Sequence, residues 1–77
     1  MTFPELNEQS PGESARLAFT FLMGRTGFDL DRLQLNADLH REFGPNIRTL
    51  RTLHDVSTLT DEQARRAHAI MKRISAS

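Results

Sequence analysis

Apolar residues recur along most of this chain at helical spacing, and no stretch alternates with period two over a convincing length. The clearest stripe lies near the C-terminus, where Ala64, Ala67, Ile70, Met71 and Ile74 span an arc of about 120° at 100° per residue. Thr60 and Gln63 before it have the spacing of a capping box, and Leu59 with Ala64 that of a hydrophobic staple. Lys72 and Arg73 suit the negative end of the helix dipole. Near the other end, Ser10-Pro11-Gly12-Glu13 reads as a helix start: serine to cap, proline at the first helical position, glutamate to complete a box. The helix that follows, over 11 to 23, leaves only the sector of Arg16 and Thr20 polar, so it is expected at the centre of a bundle or on one face of a dimer. Gly24 and Gly27 should end it in left-handed conformation.

Between these two helices the pattern is less regular. In FDLDRLQLNADLHREF, Leu30, Leu33 and Ala37 share one sector, while Leu35, Leu39 and Phe43 lie roughly opposite. That conflict predicts an ordered loop over 25 to 35, then a short helix over 37 to 43 with Asn36 as its cap. Gly44-Pro45 should stop it. Along 46 to 56, Ile47, Leu50, Leu53 and Val56 recur every third residue opposite Arg48, Arg51, Thr52 and Asp55, predicting a further helix capped by Asn46. The expected fold is all-α: a mobile N-terminal tail over 1 to 10, and a single compact bundle of about four short helices over 11 to 77.

Size and composition narrow the function. A chain of 77 residues buries only about 60% of the surface its unfolded state exposes, so a partner, including a second copy as a homodimer, would help it. Without cysteine there is no disulfide framework and no thiolate metal site. No apolar run approaches the roughly 20 residues of a membrane span, and residues 1 to 10 lack the features of a signal peptide, so a cytoplasmic protein without membrane contact is expected. Ten basic residues balance ten acidic ones, which argues against bulk electrostatic binding to nucleic acid. The balance conceals an asymmetry, with net −3 over residues 1 to 39 and net +3 over 40 to 77. Such a chain could hold its basic half toward an acidic partner.

Catalytic chemistry finds little support. The serines stand in cap, tail or terminus positions without an elbow or a base, and Asp29 with Asp31 or Asp61 with Glu62 occupy loop or helix-start positions. His40, His54 and His68 are spaced at fourteen residues, which fixes no geometry, and they read as partly exposed surface histidines rather than metal ligands. No motif asks for a cofactor. The leading expectation is a non-enzymatic module that binds another protein through Arg48, Arg51, Thr52, Asp55, Arg65 and Lys72, since arginine makes bidentate contacts to carboxylates. An alternative is a helix-turn-helix regulator of DNA, with Gly44 at the turn and Asn46, Arg48, Thr49, Arg51 and Thr52 reading bases. On that helix Asp55 would lie one turn from Arg51 and compete with phosphate for it.

The run ARLAFTFLMGRTGFDLDRLQLNADLHREFG, followed by Ile47, Leu50, Leu53 and Val56, resembles the first helix, long loop and second helix of acyl and peptidyl carrier proteins. The resemblance spans residues 15 to 56 and implies carrier-like topology. After Gly44 the chain reads Pro45-Asn46-Ile47, with no serine where that family attaches phosphopantetheine, so the resemblance implies an accessory domain without carrier chemistry.

Overall fold

The computed structural model describes residues 2 to 76 and contains four helices: α1 (Pro11–Met23), α2 (Phe28–Phe43), α3 (Leu53–Ser57) and α4 (Asp61–Ser75). No strand occurs among the described residues. The fold is therefore the expected all-α bundle, with α1 at its centre. α1 packs most extensively on α4 and also on α3, while α2 lies chiefly against α4. Ala15, Ala18, Phe19 and Leu22 of α1 are buried, as is the whole α4 stripe of Ala64, Ala67, Ile70, Met71 and Ile74. Leu35, Leu39, Leu50 and Val56 complete the core from the other elements, and Phe19 meets Phe28 edge-on at 5.5 Å.

The start of α4 matches its sequence signature. Thr60 Oγ1 accepts the Gln63 N–H, and the Gln63 side chain accepts the Thr60 N–H, so two orphan amides of the first turn are satisfied reciprocally. The start of α1 follows different chemistry from that expected. Pro11 occupies the first turn, but the Ser10 side chain makes no capping bond. Ser14 does the tethering instead, since its Oγ donates to the Ser10 carbonyl and accepts the Asn7 N–H at 2.8 Å. The glycine turn also differs: Gly24 is right-handed, whereas Gly27 takes φ +84° and opens α2, its carbonyl accepting the Leu30 and Asp31 amides.

Residues 28 to 43 form one unbroken helix, so the loop expected over 25 to 35 is absent and Asn36 is not a cap. The conflict of phase is resolved outward. Leu35 and Leu39 are fully buried, while Leu30 and Leu33 remain 73% and 61% exposed and Ala37 shares their outer face. Periodicity assumes that every apolar residue seeks the core, and two leucines of α2 do not.

The second correction concerns residues 46 to 56. Gly44, at φ +89°, ends α2 as expected, but 44 to 52 is an irregular connection and α3 is only five residues long. Asn46 caps nothing. Thr52 is the cap: its hydroxyl accepts the Asp55 N–H while Asp55 accepts the Thr52 N–H, a box that starts the helix at Leu53. Upstream of it the backbone is satisfied from outside. The buried Asn36 amide accepts the Leu50 N–H at 2.7 Å and donates to the Leu50 carbonyl at 2.9 Å, replacing the bonds that a helix would supply.

The N-terminal segment, read from composition as a tail, lies against the bundle over residues 3 to 8. The Phe3 ring stands edge-on to both Phe21 and His68, and His68 Nε2 is 2.7 Å from the Pro4 carbonyl. His68 is thus buried and not a surface histidine. Downstream, Glu8 meets Arg65 of α4 at 3.1 Å.

Candidate functional site

The residues expected to bind a partner fall into two groups, and no hydrogen bond or ion pair joins them among the described residues. Arg48, Arg51, Thr52 and Asp55 lie in the connection and at the start of α3. Arg65 and Lys72 lie two turns apart on α4. Asp55 organises the first group, accepting the Arg51 and Thr52 backbone amides and standing 3.6 Å from Arg48 Nη1. Its helical pairing with the Arg51 side chain does not occur, because residue 51 precedes the helix. In the second group Arg65 is held by Glu8, and the Lys72 ammonium has no partner among the described residues. Asn46, Arg48, Thr49, Arg51 and Thr52 are all exposed, but no helix carries them together, so the reading helix of a helix-turn-helix is missing at this position.

The Arg51 N–H, first, and then the Thr52 amide, the Thr52 hydroxyl and the Arg48 guanidinium hold the Asp55 carboxyl below its ordinary value of 3.8, against an opposing effect of desolvation. The stabilisation is present above the unfolded value and is lost as pH falls through the lower folded one. Nuclear magnetic resonance should therefore show the Arg51 and Thr52 amides shifting together on acidification, with a midpoint below the ordinary carboxylate value. A midpoint at or above the ordinary carboxylate value would contradict this account of Asp55.

The charge asymmetry of the chain is largely spent inside the molecule. Asp38, with a side chain only 8% exposed, accepts from Arg73 at 2.8 Å and from Gln34 at 2.9 Å and lies 3.4 Å from Arg41. Arg66 meets Glu42 at 2.6 Å. Sequence reasoning missed this cluster, although the four-residue step from Gln34 to Asp38 and the three-residue step to Arg41 were visible as helical neighbours. Three ion pairs, Glu8 with Arg65 and Asp38 with both Arg41 and Arg73, tie the acidic half of the chain to the basic half. Of the candidate bases, Arg51 and Lys72 are left to solvent among the described residues.

The three histidines are dispersed as well. His40 Nε2 lies 3.1 Å from the Ile47 carbonyl, His68 is taken by Pro4, and His54 is exposed on α3.

What the surface does offer is apolar. Thr2, Pro4, Leu17, Thr20, Phe21, Gly24 and Arg25 line a groove between the N-terminal segment and α1, with walls that are mostly carbon. A second hollow, lined by Glu13, Arg16, Leu17, Thr20 and Leu53, adjoins it toward α3. Leu17 and Thr20 border both, so the two hollows meet at these residues, and Leu17 is 53% exposed. The outer face of α2, with Leu30, Leu33 and Ala37, forms another apolar strip. Helical periodicity marked all of these positions as apolar but could not separate core from surface.

The chain matches no protein-family model, no curated protein and no solved structure.

Proposed function

We propose that this protein is a non-enzymatic binding module whose partner is another protein, and that it docks the partner in the groove along α1. The observation that supports this reading is the exposure of Leu17 at 53% between the two hollows, next to a core whose large side chains are fully buried. Contiguous apolar surface kept in water is a cost to a small monomer, and interaction sites are where such surface is retained. Arg16, with no ionic partner among the described residues, and Arg25 flank the groove and suit carboxylates at the edge of a docked segment. The exposed Arg51 and Thr52 remain candidates for contacts outside it. The geometry lends the DNA-reading alternative no second observation.

Site-specific photocrosslinking tests the proposal. A photoreactive residue at position 17 should yield discrete protein adducts in the native host, whereas the same residue at Glu62, on the exposed first turn of α4, should not.

A further inference from the structure

The outer strip of α2 and the groove of α1 are both apolar, and each carries an acidic residue toward one end and a basic residue toward the other. Leu30, Leu33 and Ala37 fall within about 60° of one another at 100° per residue, forming a narrow apolar ridge. Asp29 flanks the ridge at one end, its side chain 89% exposed and only 3.9 Å from Arg32. Arg41 flanks it at the other, 76% exposed and 3.4 Å from Asp38. The groove carries the same order of charge along its helix, acid first and base last. Glu13, without an ionic partner among the described residues, stands at its α1 N-terminal end, and Arg25 at its C-terminal end. Arg25 is ion-paired with Asp31 at 3.5 Å and donates to the Ile74 carbonyl at 3.5 Å, so a docked Asp29 would share a guanidinium that is 30% exposed.

Asp29 and Arg41 are twelve positions apart, as are Glu13 and Arg25. Twelve helical steps span about 18 Å, and all but the last two of those between Glu13 and Arg25 fall within α1. A ridge laid antiparallel in the groove therefore brings Asp29 to Arg25 and Arg41 to Glu13 while Leu30, Leu33 and Ala37 cover Leu17 and Phe21.

We infer that the occupant of the α1 groove is a second copy of this chain, inserting the Leu30–Leu33–Ala37 ridge of its α2. This deepens the proposed protein-binding reading and rests on it. The contact is heterologous, ridge to groove, so each copy keeps one free ridge and one free groove, and assembly continues beyond a dimer. One helix in one groove is a small interface, so association in the micromolar to millimolar range is expected.

Sedimentation of the full chain over a concentration series tests this directly. The weight-average mass should climb past that of a dimer, and Leu17→Glu or Leu33→Glu should each reduce it to a monomer with the circular dichroism of the wild type. An equimolar mixture of the two variants should stop at a dimer, because one intact groove meets one intact ridge. As an independent check, Glu13→Arg and Arg41→Glu should each weaken association about threefold, and the double variant should recover it. A wild type that stays monomeric throughout overturns the inference, as does a Leu17→Glu variant that dimerises alone, which would mean symmetric pairing of α2. In either case, adducts from position 17 to a different protein would leave the protein-binding reading standing and remove only the self-association.

Discussion

Phe19→Ala should remove a large share of the protein's stability. Phe19 is fully buried on the central helix and meets Phe28 edge-on, so its removal leaves a void in the core where α1 faces the start of α2. Such truncations cost about 3 to 5 kcal/mol. A domain of this size has about 4 to 11 kcal/mol in total, at roughly 0.05 to 0.15 kcal/mol per residue. The midpoint of thermal unfolding, followed by circular dichroism, should fall by at least about 12 °C. Leu30→Ala serves as the reference: at 73% exposure it should change stability by no more than about 0.5 kcal/mol. Similar losses for the two variants would contradict the assignment of core and surface.

Asn36→Ala should be nearly as damaging, although it replaces a polar residue with a better helix former. The Asn36 amide satisfies both backbone groups of buried Leu50 and also donates to the Arg32 carbonyl at 3.1 Å. Without it a buried N–H and a buried C=O are left unpaired, each at about 1 to 3 kcal/mol. The gain in helix propensity returns only about 0.5 kcal/mol. A net loss of about 1.5 to 5.5 kcal/mol is expected in a denaturant titration, with faster hydrogen exchange over residues 46 to 52 as the local signature. Asn36→Asp sharpens the test, because the aspartate can still accept the Leu50 N–H but places a carboxylate oxygen against the Leu50 carbonyl. It should not restore stability. If either variant were as stable as the wild type, another interaction would have to hold the connection.

These two residues also show what was legible in the sequence. α1 and α4 could be read because their ends are written locally, in Pro11 and in the Thr60–Gln63 box, and because their buried stripes are continuous. The connection over 44 to 52 could not, since its conformation depends on an amide fourteen residues upstream, and the threefold recurrence of Ile47, Leu50 and Leu53 fits either a helix or an irregular segment with two buried anchors. Thr52 and Asp55 carried the correct helix start, but they were read as one exposed face of a longer helix and not as a box. α2 was obscured by Leu30 and Leu33, whose apolar character signals burial in a monomer and signals contact when the surface has a use. The same ambiguity hid the candidate site. Arginine chemistry is conspicuous in a sequence, yet Arg48, Arg65, Arg66 and Arg73 all face carboxylates within the fold. The position of Leu17 between two hollows depends on Leu53 of α3 and on the N-terminal segment, neither of which local pattern could place.

The claim on which the account turns is that the α1 groove is a surface for protein and not a gap in packing. Crosslinking yields from position 17 and from position 62, compared in the native host on equally stable variants, measure it most directly. Discrete protein adducts are expected from position 17, of the chain itself or of another protein, and none above background from position 62. Equal yields from both positions, or adducts from neither, would contradict it.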